Sequence, residues 1–170
     1  REVHLWNSTT YDLSSLFGLP LFDGVALDVT QLQDVNHIGG FPQLRKLWLN
    51  GFLTGDVVAN ILAQAGTLEH LAIGGNPTVD GALVTILTSG LPNLNSFGAG
   101  YSSLSDLASI VGFGNIESLD VAGTLVSDYT LAIASGTLMQ IHIQDAPISD
   151  ADVLTLEGNG VQVDGTPLPA

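Results

Sequence analysis

The chain has 170 residues, of which 45% are apolar, and this is enough for one domain with a buried core. Its net charge of −14 disfavours nucleic acid and anionic membrane surfaces as partners, because both are themselves negatively charged. The lack of cysteine excludes disulfides and thiolate chemistry, and no apolar run approaches the ~20 residues of a membrane-spanning helix, so we expect no direct membrane insertion.

The start of the chain lacks the long apolar stretch of a signal peptide, and its first residue is Arg1 rather than methionine. We therefore expect a processed protein or a piece of a longer chain, still forming a single domain over residues 1–170. A surface poor in lysine and rich in serine and threonine is similar to that of bacterial extracellular proteins. The expected location is extracellular or at a bacterial cell surface.

Short apolar pairs of the form L-x-L recur along the chain and predict strands, because alternate residues of a strand face the same side. In most repeats a further apolar residue stands three positions earlier, which gives L-x-x-L-x-L; Gly158 is the exception. Successive pairs are 22, 22, 24, 26, 22, 22 and 20 residues apart. The pairs are Val3/Leu5, Val25/Leu27, Leu47/Leu49, Leu71/Ile73, Phe97/Ala99, Leu119/Val121, Ile141/Ile143 and Val161/Val163.

Seven aspartates each follow the first member of a pair by nine residues and precede an apolar, helix-like stretch. Aspartate before a helix and glycine after it are typical of a capped helical turn, so we predict structural N-caps. A calcium-binding acidic ridge is the alternative, although no Asp-x-Asp-x-Asp-Gly loop accompanies it. The aspartates are Asp12, Asp34, Asp56, Asp80, Asp106, Asp128 and Asp150.

The length of each repeat limits its helical half. The two longer repeats are predicted to hold helices at Val57–Ala65 and Gly81–Ser89, where their extra residues lie. The repeats of 22 and 20 residues have room only for a helical turn or a 3-10 segment.

The segments Leu104–Asp106, Val126–Asp128 and Ile148–Asp150, placed after L-x-x-L-x-L strands, resemble the I-S/T-D segments of internalin-type bacterial leucine-rich repeats. The basic unit of that family is also 22 residues. The resemblance implies an α/β fold: a right-handed solenoid of about eight repeats, with a parallel concave sheet and short helices or 3-10 turns on the convex side. It also implies a protein-binding role at a cell surface, such as adhesion.

One position departs from the family. Internalin-type repeats carry asparagine three residues after the second strand leucine, and among the eight repeats of this chain only Asn76 conforms. Serine and threonine occupy most of the other positions. Their side chains can also hydrogen bond the backbone of a turn, so the fold assignment is retained.

Parity places the residue between the two inward residues of each pair, and the residues just before and just after the pair, on the concave face, the usual ligand surface of such solenoids. Both tryptophans lie there, and we expect Trp48 to be substantially exposed within a binding patch. Alternatively, Trp6 covers the N-terminal edge and Trp48 packs on Phe52 or His70. The predicted binding residues are Trp48, Lys46, Asn50, Phe52, His70, Trp6 and His4.

The middle of the concave face carries only small residues. They either admit a closely packed partner or form a sheet face with no binding role, and the sequence leaves both open. These residues are Ala72, Gly74, Gly98, Gly100 and Ala122.

The sequence lacks the His-Glu-x-x-His, Gly-x-Ser-x-Gly and phosphate-loop motifs, so we expect no enzyme, metal or cofactor. The first functional hypothesis is a recognition module for a protein or a glycan. The second is a structural repeat element that supports flanking domains or self-associates end to end, because neither end of the solenoid shows a polar cap. The mass of the particle in solution distinguishes the two.

Overall fold

The computed structural model describes residues 2–5, 23–28, 41, 43–51, 53, 55–64 and 66–168. Eight short strands form one sheet in chain order, and every neighbouring pair is parallel. This topology confirms the predicted α/β leucine-rich-repeat solenoid. The strands are β1 (Glu2–Leu5), β2 (Gly24–Asp28), β3 (Lys46–Asn50), β4 (His70–Ala72), β5 (Ser96–Gly98), β6 (Ser118–Asp120), β7 (Gln140–His142) and β8 (Gln162–Asp164).

The strand register confirms six of the seven predicted repeat spacings and corrects the last. Ile141 of β7 pairs with Val163, not with Val161, so the final spacing is 22 residues rather than 20. The alignment of Val161 with Ile141 was wrong because the two valines share the same parity, and parity alone does not distinguish registers that differ by two residues. As a result, Gln162 lies beside Gln140 and Asp164 lies beside His142.

The inward residues of the strands form a continuous apolar core. Leu47, Leu71, Phe97, Leu119 and Ile141 come from successive strands, and none is more than 1% exposed. Burying each such side chain contributes about 1.5–3 kcal/mol. The third apolar position of the motif, at Leu44, Leu68, Leu94, Ile116 and Leu138, is buried as well.

Within the described residues, four helices and two 3-10 segments lie between the strands. The two longer repeats hold α1 (Gly55–Leu62) and α2 (Gly81–Ser89), which agrees with the helices predicted there. Two of the shorter repeats hold only the 3-10 segments Leu107–Ser109 and Phe113–Asn115 and the five-residue α3 (Thr130–Ala134).

The last repeat instead contains the nine-residue α4 (Asp150–Gly158), and the prediction of a mere turn there was wrong. The helix α4 ends in a compact C-terminal cap, which leaves more residues of the repeat for the helix. Gly160 has a φ of 86° and donates its N–H to the Glu157 carbonyl, while Val161 donates to the Leu156 carbonyl at 3.0 Å. This is a Schellman motif, and it brings the chain from helix to strand within a few residues.

Three of the repeating aspartates accept hydrogen bonds at the start of a helical segment. The carboxylate of Asp80 accepts from the Leu83 N–H at 2.9 Å, and that of Asp106 accepts from the Ala108 N–H at 2.8 Å. Asp128 accepts from the Thr130 N–H at 2.9 Å, where α3 begins, although it stands one residue before Tyr129, the N-cap of that helix.

Two other aspartates are not N-caps, and the prediction for them was wrong. Asp150 is the first residue of α4, and the cap is Ser149, whose hydroxyl accepts from the Asp152 N–H. Asp56 is the second residue of α1. The spacing of nine residues fixes where the helical half starts only to within a residue or two, so the cap position shifts between repeats. Asp12 and Asp34 lie outside the described residues.

The asparagine position is a buried turn position in three described repeats, where it is Asn76, Ser102 or Thr124, whereas Thr166 at the last predicted position is exposed. Asn76 donates to the Gly51 carbonyl of the preceding repeat and accepts from the Thr78 N–H. Ser102 accepts from the N–H two residues later, and the Thr124 hydroxyl donates to the carbonyl three residues earlier. Serine and threonine therefore satisfy the turn backbone locally, whereas Asn76 also links two repeats.

Candidate functional site: a cleft on the concave face

Four outward residues on adjacent strands form one row across the concave face, here called the Trp48 row. Trp48 of β3 pairs in register with Ala72 of β4, Ala72 with Gly98 of β5, and Gly98 with Asp120 of β6. Because neighbouring strands lie ~4.8 Å apart, the two ends of the row are about 14 Å apart along the sheet. The row therefore has an indole at one end, a carboxylate at the other, and two small residues between them.

These residues surround a cavity of about 220 Å³, here called the concave cleft. Gly98 forms part of its floor, where an added Cβ would lie 3.3 Å from the Ala72 Cβ and 3.5 Å from the Asp120 Cβ. A larger side chain at this position would fill the space, so the cleft exists because residue 98 is glycine. The lining consists of Trp48, His70, Leu71, Ala72, Ser96, Phe97, Gly98, Ser118 and Asp120.

The two carboxylate oxygens of Asp120 differ in their contacts. Its Oδ1 accepts from the Ala122 N–H at 3.0 Å and lies 3.4 Å from the His142 Nδ1. Its Oδ2 accepts no hydrogen bond from any residue in the described part of the chain. The side chain is 45% exposed. One carboxylate oxygen is therefore fixed by the fold, and the other is available to a ligand.

His70 is the second titratable group in the lining. It is half-buried, and this burial lowers the pKa of its imidazole. The positive charge of Lys46, which pairs with it in register on β3, lowers the pKa further. His70 is therefore neutral at neutral pH, and it adds hydrogen-bonding capacity to the cleft without adding charge.

The structure places Trp48 on the concave side, as parity requires, but it is only partly exposed. The expectation of substantial exposure was wrong, because the indole forms a wall of the concave cleft beside His70 and Ala72. Lys46 borders the same region from the start of β3, and Asn50 is exposed at the end of that strand.

The structure does not describe the side chains of three other predicted binding residues. His4 lies on β1, in the row of Ala26 and Trp48, and the structure describes only its backbone. Trp6 and Phe52 fall outside the described residues.

Sequence reasoning missed Asp120, Ser96 and Ser118 as members of the site. Among the outward residues, the prediction favoured aromatic and basic side chains, which dominate binding hot spots, over a lone carboxylate. The signal was nevertheless present: Asp120 is the one acidic residue in the same outward column as Trp48 between β3 and β6.

Two further polar clusters flank the cleft. Arg45, just before β3, forms an ion pair with Glu69, and this hydrogen bond lowers the pKa of the Glu69 carboxyl. On the C-terminal side, Asp164 accepts from the Gln140 side chain at 2.7 Å and from Gln162 at 3.1 Å, and these bonds lower its pKa.

Nowhere in the described ranges do three histidine, aspartate or glutamate side chains stand close enough together to hold a metal ion. Among those same ranges, none of the helices has the length and apolar character needed to cross a bilayer.

Comparison with protein-family models gives no match, and comparison with curated protein sequences gives none that is significant. Among solved structures, this chain is similar to the crystal structure of an internalin (inlF) from Listeria monocytogenes, with a TM-score of 0.64 and 15% sequence identity. The match covers 98% of this chain and 55% of the internalin, so the chain spans about half the length of that protein. The chain therefore has the leucine-rich-repeat solenoid fold seen in that internalin.

Proposed function

We propose that this chain is a non-enzymatic recognition module that binds a protein partner through its concave face. The observation that carries the proposal is the concave cleft, which joins an aromatic wall, an available carboxylate and two serine hydroxyls on one rigid sheet. Its volume of about 220 Å³ lies below the ~300–1,000 Å³ of sites for cofactors and drug-sized molecules. The cleft therefore suits one anchoring side chain of a larger partner.

The structural similarity to the listerial internalin supports a proposal for the cellular location of this chain. Internalin-type solenoids are bacterial surface or secreted proteins, and we propose an extracellular or cell-surface location for this chain as well. The sparse basic residues and the net charge of −14 are consistent with a protein partner rather than nucleic acid. A glycan is the other ligand class, and the test below includes it.

Selection of binders against the purified chain tests the proposal. A displayed library of random peptides and an array of bacterial and animal glycans serve as probes. Peptides that bind the chain should lose affinity for Ser96→Phe, which fills the concave cleft, and should retain it for Ser89→Phe, the same substitution on exposed α2. Enrichment of glycans alone, or binding that is insensitive to Ser96→Phe, would contradict the proposal.

End-to-end assembly is the second candidate function. In the described sheet, β8 is an end strand that pairs with β7 alone, and such an edge can add a further strand. Leu154 on α4 and Leu168 beyond β8 are 68% and 48% exposed in the same repeat. Sedimentation over a hundredfold range of concentration tests this: a mass that rises with concentration supports assembly, and a constant monomer mass rejects it.

A further inference from the structure

We propose that the concave cleft receives an arginine side chain from a basic segment of the partner. The guanidinium lies at Asp120, and the methylene stem extends over Gly98 and Ala72 towards Trp48. This inference rests on the proposed function, because it requires a protein ligand on the concave face, and it specifies the chemistry of that ligand.

The charge of the cleft favours a cation. Of its nine lining residues, only Asp120 carries a formal charge at neutral pH, because burial and the nearby Lys46 keep His70 neutral. The Asp120 side chain is about half exposed, so an incoming cation reaches it without crossing an apolar barrier. A carboxylate without a cationic partner on its open side favours a positively charged ligand group.

The cleft offers three oxygen acceptors to a ligand that carries N–H donors. The Oδ2 of Asp120 accepts no hydrogen bond from the described residues, and the hydroxyls of Ser96 and Ser118 make none with them either. The two serines pair in register on adjacent strands and line the cleft together with Asp120. A guanidinium has five N–H donors and no acceptor, so it can satisfy several fixed oxygen acceptors at once.

The shape of the cleft favours a long side chain. Trp48 and Asp120 stand three strands apart, about 14 Å along the sheet, with only Ala72 and Gly98 between them. The methylene groups of arginine can pack on this small-residue floor while the charged end reaches the carboxylate.

The net negative charge of the whole chain also favours a cationic ligand. Its net charge of −14 attracts a basic segment over long range and accelerates association, and added salt screens this attraction. Acidic partners are disfavoured by the same field.

NMR titration of the full chain with short capped peptides tests the inference. The probes are acetyl-Gly-Arg-Gly-amide, the same peptide with citrulline, which has nearly the shape of arginine without its charge, and the same peptide with lysine. The expected result is a shift of the Gly98 and Ala122 amide signals, with arginine binding at least about tenfold more tightly than citrulline and more tightly than lysine.

Two variants complete the design. Asp120→Asn keeps an acceptor for the Ala122 N–H and removes the charge, so it should reduce arginine affinity about tenfold to the citrulline value. Glu157→Gln removes one charge from exposed α4 and should leave the affinity unchanged. Equal binding of arginine and citrulline, tighter binding of lysine, or an arginine affinity that Asp120→Asn leaves intact would overturn the inference. Failure of all three peptides to shift the cleft amides would also overturn it, while the library selection would still decide whether the concave face recognises proteins.

Discussion

Gly74 and Gly100 approach each other so closely on the concave face that a Cβ built on Gly74 would lie 2.8 Å from the Gly100 carbonyl oxygen. The space beside Gly100 is also limited, since a Cβ built on it would lie 3.0 and 3.1 Å from the two carboxylate oxygens of Asp120. The small residues in the middle of the sheet therefore have a packing role. They allow adjacent repeats to approach closely and leave room for the Asp120 carboxylate.

Replacement of Gly74 by alanine is expected to destabilise the protein by about 1–3 kcal/mol, because a backbone oxygen must move to admit the new methyl group. The measurement is the midpoint of urea unfolding. Gly136→Ala is the matched control, since nothing lies within 4 Å of its built Cβ, and it should unfold near the wild-type midpoint. Equal stability of the two variants would show that the contact between Gly74 and Gly100 does not constrain the sheet.

The helix caps provide a second prediction. Asp106→Ala removes a carboxylate that accepts from the Ala108 N–H, and Ser149→Ala removes the hydroxyl that caps α4. Each should cost about 1 kcal/mol of stability. Asp150→Ala should cost less, because Asp150 lies in the first turn of α4 and acts only through the helix dipole. If Asp150→Ala proves the most costly of the three, the caps are assigned to the wrong residues.

Asp128 predicts an acid-dependent contribution to stability. Hydrogen bonds from Thr130 hold the pKa of its carboxyl below the usual value, so the folded state favours the ionised form. This contribution is fully present above the unfolded pKa of about 3.9 and is lost as pH falls through the lower folded pKa. Asp128→Asn should retain much of the cap and lose this pH dependence, which unfolding curves between pH 2 and 6 measure. A parallel pH profile in wild type and variant would exclude this role.

Tyr129 predicts a loss of stability at alkaline pH. Its side chain is 2% exposed, its hydroxyl has no hydrogen-bond partner in the described part of the chain, and burial, aided by the charge of Asp152, raises its pKa to about 12. The folded state therefore excludes the phenolate. The stabilisation is complete below the ordinary pKa of about 10 and falls by up to ~3 kcal/mol as pH rises through 12.

Tyr129→Phe is the matched variant for this alkaline transition. It removes a buried hydroxyl that lacks a partner among the described residues, so it should be at least as stable as wild type at pH 7. Between pH 10 and 12 it should lose less stability than wild type. Identical alkaline unfolding of the two proteins would show that Tyr129 ionises freely in the folded state.

The repeat pattern was sufficient to predict the fold. Inward residues such as Leu47 and Leu71 alternate with outward ones, and burial of one face allows only one parity. Register at the last strand could not be predicted, because Val161 and Val163 are equally apolar and share a parity. The length of α4 was also missed, since it depends on the left-handed backbone of Gly160, which sequence spacing does not reveal.

Only part of the candidate site was accessible from the sequence. Trp48 and His70 were found because parity places both on the concave face, where aromatic and basic residues dominate binding hot spots. The cleft itself depends on distances between strands: Gly98 leaves the space, and Asp120 closes it three strands away from Trp48. Such a cavity follows from the register of four strands together, which no single motif encodes.

The affinity of a selected peptide for Trp48→Ala, measured together with the melting temperature of the variant, tests the central claim most directly. If the concave cleft is the recognition site, the affinity should fall roughly thirtyfold, equivalent to about 2 kcal/mol, while the melting temperature changes little because Trp48 lies outside the core. Met139→Ala, which removes a large apolar side chain that is 65% exposed outside the cleft, should alter neither quantity. A large loss of melting temperature with unchanged affinity would contradict the account and assign Trp48 a structural role.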